Sequence, residues 1–328
     1  MNVGAICQTT CMKILITGAA GFLGRRLAEN LLEQRVEKLV LLDREKTAGF
    51  NDPRVVALAG DITRAREIDA AVDSDIDTVF HLAAVVSGEA EADFDLGMRV
   101  NVEGSRLLLE ACRRKCNRPR VVFASSVAVF GPSANAQIDD STAVDPRSSY
   151  GMEKAVAELL LKDYTRRGFV DGVALRLPTI SVRPGRPNKA ASSFASGIIR
   201  EPLAGLEAVC PVPPETQLWL LSPRAAVANL VRASQIELPH ADRGRVINLP
   251  GISVSVGEMV DALQRIAGAE VSGRVRWMPD KSIEAIVASW PSGWDVSRAL
   301  SLGFENGDDL EAIIRGHMEE CSRSQSNV

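Results

Sequence analysis

The chain reads as an α/β protein built on a doubly wound parallel sheet, with a smaller C-terminal lobe added to it. Three observations predict this. The aliphatic run Lys13-Ile14-Leu15-Ile16-Thr17 opens onto the glycine-rich turn Gly18-Ala19-Ala20-Gly21-Phe22-Leu23-Gly24 and an amphipathic segment to about Arg35, in the order strand, tight turn, helix. Strand-like and helix-like stretches then alternate, the rhythm of a parallel sheet covered on both faces. Beyond residue 183 that alternation lapses, interrupted by prolines at 184, 187, 202, 211, 213 and 214. At 328 residues the chain also exceeds the roughly 250–300 residues at which one core stops growing. The expected division is a loose tail over 1–11, a main domain over 12–183, and a lobe over 184–328 with a strand near 245–249 returning to the main sheet.

Each early element carries a chemical reason. Glycines in the first turn let the backbone approach a pyrophosphate closely, and the unpaired N–H groups of the following helix face that anion. The second strand, over 38–42, ends at Asp43, where a carboxylate can accept from adenosine ribose hydroxyls and repel a 2′-phosphate. This points to NAD, with the adjacent Arg44 keeping NADP open. Strands over 54–58 and 77–82 flank a helix over 65–72. Ligands of such sheets lie beyond the carboxyl ends of the strands, where Asp61 could reach an adenine amino group and small Ala83 and Ala84, after Leu82, would let a cofactor pass. His81 reads as a satisfied core histidine. One long helix is expected over 93–114, carrying Asn101, followed by a fifth strand over 120–124 that ends at Ser125-Ser126.

Composition narrows the function classes. A net charge of −4 supplies no basic field for wrapping nucleic acid, and no apolar run approaches the roughly 20 residues of a membrane span. The first eleven residues lack a positive segment followed by an apolar one, so no secretory signal is expected. Six cysteines without a C-x-x-C pair, and three histidines without clustering, argue against a metal site and fit reduced thiols in the cytoplasm.

The chemistry centres on Tyr150 and Lys154, whose four-residue spacing places both side chains on one helix face. A phenol with a pKa of about 10 is a poor base at neutral pH, but a nearby ammonium lowers it, and Lys154 is the expected source of that charge. The spacing alone equally fits an ordinary helix start capped by Ser148 or Ser149.

Taken together, Thr17-Gly18-x-x-Gly21-x-x-Gly24, Asp43, Gly60-Asp61, His81-Leu82-Ala83-Ala84, Asn101-x-x-Gly104, Ser125-Ser126-x-x-x-Phe130-Gly131 and Tyr150-x-x-x-Lys154 resemble the extended short-chain dehydrogenases/reductases of the NAD-dependent epimerase/dehydratase type. The resemblance implies a Rossmann-type NAD-binding domain with Tyr150 as acid/base, Lys154 lowering its pKa and holding the nicotinamide ribose, and Ser126 orienting substrate. Cofactor contacts are implied at Gly18, Gly21, Phe22, Leu23, Gly24, Asp43, Asp61, Ile62, Leu82, Ala83, Ala84, Asn101, Tyr150, Lys154, Pro178 and Ile180. A homodimer formed through the helices bearing Asn101 and Tyr150 is implied as well.

Within that family, Val127 and Ala128 replace the acidic pair of the dehydratases, and Leu175-Arg176-Leu177-Pro178-Thr179-Ile180 departs from the nucleotide-sugar epimerases. Several stretches instead resemble a branch that oxidises the C2 hydroxyl of a four-carbon sugar acid: Arg183-Pro184-Gly185-x-Pro187-Asn188, Arg200-Glu201-Pro202-Leu203, and Trp219-x-x-Ser222-Pro223-Arg224. The alternative is a nucleotide-sugar 4-epimerase with tightly bound NAD. A sugar acid needs a cation, and arginine's planar fork suits a carboxylate, which makes Arg183 and Arg224 the expected anchors. Ser87, Asn188 and Ser192 could read hydroxyls alongside Ser126 and Tyr150, and Trp219 could wall the pocket.

Overall fold

The structure, a computed structural model, describes residues 12–131, 138–185, 187, 189–239 and 244–326. Its centre is a parallel sheet. Strands β1 (Met12–Thr17), β2 (Val36–Asp43), β3 (Val55–Ala59), β4 (Thr78–His81), β5 (Arg120–Ser126) and β6 (Asp171–Leu177) alternate with helices α1 (Phe22–Leu32), α2 (Ala65–Ala71), α3 (Ser87–Ala92), α4 (Phe94–Gly97), α5 (Gly104–Lys115) and α6 (Ser149–Arg166). With Val246–Asn248 paired to β6, the strand order among the described residues is 246–248, β6, β5, β4, β1, β2, β3. The order reverses direction at β1, where β1 pairs in parallel with both β2 and β4. A crevice therefore opens at the carboxyl ends of those strands.

The side-chain period of two divides the sheet's hydrophobic residues between its faces. Ile14, Ile16, Leu39, Leu41 and Phe80 pack with α1 and with a later helix, Pro223–Gln235. Leu15, Val40, Val79, Val121 and Phe123 pack with α2, α5 and α6. Burial on both faces explains why these strands are almost continuously apolar.

Two expectations from the sequence are corrected. The helix expected over 93–114 is interrupted: Asp93 caps α4 by accepting from Leu96 N, a π-helical turn covers Met98–Glu103, and α5 begins at Gly104. The proline-rich stretch after residue 184 contains a helix, α7 (Ser193–Leu203), with Pro202 in its last turn. Its residues Phe194, Ala195, Ile198 and Ile199 are buried in a C-terminal core with Met259, Leu263, Ile313 and Ile314. A small sheet joins Thr179–Ile180 to Gln217–Leu221 and Ile252–Ser255. Residues 1–11, and Asn188 with them, lie outside the described residues.

Candidate active site

The first turn is shaped for close approach. Gly18 has a φ of +74°, and a Cβ there would lie 2.6 Å from Ala83 N. A Cβ on Gly24 would collide with Gly18 O. Gly21 caps α1 without a side-chain hydrogen bond, and the first turn of α1 carries no acidic residue, so its N–H groups and positive dipole end are available to an anion. At the end of β2, Asp43 Oδ2 accepts from Ala20 N at 3.0 Å, which fixes the carboxylate beside the glycine turn. A cavity of about 160 Å³ holds Asp43, Asp61, Ile62 and Ala83 along its walls. Burial alone would raise the Asp61 carboxyl, but Thr63, Arg64 and Arg44 outweigh it and hold it below its usual value. These residues fit a dinucleotide's phosphates and adenosine.

The adjoining cleft, about 380 Å³, brings together Gly18, Phe22, Leu23, Gly24, Leu82, Ala84, Ser87, Ser126, Tyr150, Lys154, Pro178, Ile180, Arg183 and Ser192. Tyr150 and Lys154 come from α6, whose start is fixed by Ser148 Oγ accepting from Gly151 N at 3.2 Å. Lys154 is 2% exposed; its Nζ donates to Ala124 O at 2.9 Å and sits 4.7 Å from the Phe123 ring centre and 5.6 Å from that of Tyr150. Burial lowers this ammonium to about 8, although Glu153 and Glu158 work in the opposite direction.

Tyr150 is partly open to the cleft by surface area, yet enough protein surrounds its hydroxyl that desolvation pushes it up to about 12. Against that rise work the Arg183 charge and the Ser126 hydroxyl, while Glu153 adds to it. Arg183 is thus a cation that opposes this rise, and the ammonium of Lys154, the charge expected from the sequence, lies 5.6 Å from the Tyr150 ring centre. Ser126 Oγ is held at the turn after β5 by accepting from Ala128 N at 3.1 Å. Arg183 is fixed through its backbone, its N–H donating to Ser196 Oγ at 3.0 Å and its carbonyl accepting from Arg200 Nη1 at 2.7 Å. No carboxylate among the described residues pairs with the Arg183 guanidinium. Ser87 Oγ accepts from Ala191 N at 3.0 Å and ties the substrate-side loop to α3.

Three expected site residues are elsewhere. Trp219 is 9% exposed, stacked on Trp294 with ring centres 5.7 Å apart, and donates to Leu249 O; it belongs to the core because its strand is buried on both sides. Arg224 is exposed and lines a different cavity, its guanidinium taken by Glu305 at 2.9 Å and Asp308 at 2.7 Å. Asn101 is buried, its amide bonded to Val85 and Glu153, and it lines neither cavity. His81 is the core residue expected, bonded to Thr17 and Ser105 and lowered to about 3 by burial and by Lys154. Residues the sequence reading missed are Ser196, Arg200 and Trp290, which also line the cleft; the apolar spacing of Phe194, Ile198 and Ile199 was the available signal for the helix carrying the first two. Among the described residues, no three His, Cys, Asp or Glu side chains cluster to hold a metal, and no helix is long and apolar enough to cross a membrane.

A model of the NAD dependent epimerase/dehydratase family matches residues 14–244. The chain is 54% identical over 320 residues to a D-erythronate dehydrogenase of Cupriavidus necator, covering 94% of this chain and 99% of that one. A D-erythronate dehydrogenase of Haemophilus influenzae is 46% identical over 312 residues, with 94% and 99% covered. A solved structure described as a nucleoside-diphosphate-sugar epimerase from Agrobacterium tumefaciens superposes with a TM-score of 0.88 at 43% identity, covering 94% of each chain.

Proposed function

The chain belongs to the NAD dependent epimerase/dehydratase family, and we propose that within it the protein oxidises the C2 hydroxyl of D-erythronate, giving 2-dehydro-D-erythronate and NADH. The observation that carries this reading is Arg183: a guanidinium without a carboxylate partner among the described residues, in the same cleft as Ser126 and Tyr150. A four-carbon sugar acid offers the carboxylate that this fork would bind. The named relatives support the same substrate.

When bound, the nicotinamide supplies the hydride acceptor. The glycine turn and the start of α1 would hold its pyrophosphate, and Asp43 would accept from the adenosine ribose and repel a 2′-phosphate, which favours NAD over NADP. Lys154 spends one of its three N–H bonds on Ala124 O, leaving two for the cofactor ribose. Arg183 orients the acid by its carboxylate, so that C2 rather than C3 or C4 meets the reacting groups. Ser126 holds the C2 oxygen while Tyr150, in its phenolate form, takes the hydroxyl proton. The C2–H bond breaks with its electron pair leaving as hydride, and the C2–O bond becomes a carbonyl.

The test is absorbance at the nicotinamide band with NAD and a panel of four- and five-carbon aldonates. Stoichiometric NADH formation with D-erythronate is expected. The competing reading, a nucleotide-sugar 4-epimerase, predicts inversion of a nucleotide sugar with no net NADH. In solution we expect a homodimer, which light scattering would check.

A further inference from the structure

The wall between the two cavities is the segment over 82–87. Leu82 and Ala84 line both cavities, Ser87 lines the larger cleft, and Ala83 and Val85 line the smaller one. Two side chains hold its backbone: Thr17 Oγ1 accepts from Ala83 N at 3.4 Å, and Asn101 grips both backbone polar groups of Val85. Asn101 Oδ1 accepts from Val85 N at 3.0 Å, and Asn101 Nδ2 donates to Val85 O at 3.2 Å. The remaining Nδ2 hydrogen goes to Glu153 Oε2 at 2.6 Å. Glu153 is fully buried and adjoins Lys154 on α6, three residues from Tyr150.

The surroundings are built to admit this carboxylate. Gly97 closes α4 against it, and a Cβ at that position would collide with Glu153 Oε1. Asn101 lies in the π-helical turn Met98–Glu103, a departure from α geometry that often marks a functional position. The network continues behind the wall: Ser105 Oγ donates to Asn101 O at 2.6 Å, His81 Nε2 lies 2.9 Å from Ser105 Oγ, and His81 Nδ1 lies 2.8 Å from Thr17 Oγ1. The last residue of β1, just before the glycine turn, is thereby connected to the helix of the proton-transfer pair.

A buried carboxylate is costly unless its partner needs it. Here Oε1 has no hydrogen-bond partner among the described residues, a cost that an apolar side chain at this position would not carry. We propose that Glu153 is a positioning residue that keeps the cofactor wall over 82–87 in register with Tyr150 and Lys154, acting through Asn101. It touches neither cavity, and the inference rests on the oxidoreductase reading of Tyr150 but not on which alcohol is the substrate.

The experiment compares Glu153→Ala, Glu153→Asp and Glu153→Gln with the wild-type protein. Three readouts are taken: NAD affinity by titration, steady-state kinetics, and amide hydrogen exchange over 82–87 without cofactor. Glu153→Asp opens little space but draws the carboxylate back from Asn101, so it tests the contact even where the alanine variant folds poorly. In Ala and Asp we expect faster exchange confined to 82–87 and to the turn at 98–103. We expect NAD affinity reduced about tenfold and kcat reduced up to about 100-fold, the scale of a misplacement near 1 Å. KM for the acid should stay within about twofold, because Arg183 is untouched. Glu153→Gln keeps a carbonyl oxygen for the Asn101 amide and should restore exchange and NAD affinity to near wild type. Wild-type exchange and NAD affinity in Glu153→Asp would overturn the proposal, as would a loss of thermal stability with all three readouts otherwise unchanged. Failure of the wild-type protein to oxidise any aldonate would instead count against the substrate assignment, since NAD affinity and exchange are read without one.

Discussion

Arg183 and Tyr150 face one cleft, and the guanidinium is a cation that works against the desolvation of the phenol. The same guanidinium is the proposed anchor of the substrate's carboxylate. One side chain therefore links binding of the acid to the acidity of the group that deprotonates it.

Replacing Arg183 should separate these two effects. Arg183→Gln is expected to raise KM for D-erythronate about 100-fold, within the roughly 2–5 kcal/mol cost of removing one partner of a buried charged pair. With the cation gone the phenol's pKa rises further, so the acid limb of kcat/KM moves to higher pH. KM for NAD should change less than about twofold. Steady-state kinetics across pH check this, and an unmoved acid limb together with an unchanged KM would remove Arg183 from the site.

Tyr150 and Lys154 give the free enzyme its pH signature. With the phenol pushed up to about 12, its ionised fraction grows throughout the working range, and kcat/KM for NAD should climb as pH rises from 6. The climb should break near 8, where Lys154 loses its proton. Tyr150→Phe should fold, bind NAD and lose about 10³–10⁴ in kcat, the upper range for general acid–base catalysis. Wild-type turnover in that variant would rule out the assigned role.

His81 makes a stability prediction with a definite sign. Burial, with Lys154 adding to it, lowers this imidazole from 6.5 to about 3. Between those values the unfolded chain binds the extra proton, so stability is lost as pH falls through that window, at up to about 1.4 kcal/mol per pH unit. Urea unfolding at pH 6.5 and 4.5 should show the loss, and His81→Gln should reduce the difference. An equal pH dependence in both proteins would place the acid sensitivity elsewhere.

Arg224 should matter little to catalysis. Its guanidinium is engaged by Glu305 and Asp308 on an exposed surface, where such pairs contribute about 0–1 kcal/mol. Arg224→Ala should keep KM for the acid within about twofold and shift the thermal midpoint slightly. A large rise in KM for the acid alone would return Arg224 to the substrate site.

What the sequence disclosed follows from where its information is local. The glycine turn is a strand-turn-helix whose steric demands are written into consecutive residues, and the Tyr150–Lys154 spacing is fixed by helical periodicity. The far wall of the cleft was hidden because α7 lies among prolines that read as loop, even though Pro202 falls only in its last turn. Trp219 sits in Leu218-Trp219-Leu220-Leu221, an unbroken apolar run that marks a strand buried on both faces and leaves no side for a pocket. Arg224 follows Ser222, which caps the helix Pro223–Gln235 by accepting from Ala225 N; its acidic partners arrive from about 80 residues away, and no local pattern announces them. The Glu153–Asn101–Val85 connection was invisible for the same reason, since it joins three separate segments.

The four tryptophans occupy environments different enough to act as internal optical probes. Trp219 and Trp294 are stacked in the core and at most 9% exposed, so their emission should report unfolding. Trp277, 40% exposed, supplies a solvent-facing background. Trp290 is more than 100 residues from Arg183 in sequence but lines the same cleft as Tyr150 and Arg183. Its fluorescence should change on cofactor or acid binding before any turnover, giving a label-free titration in a chain that needs no engineered reporter.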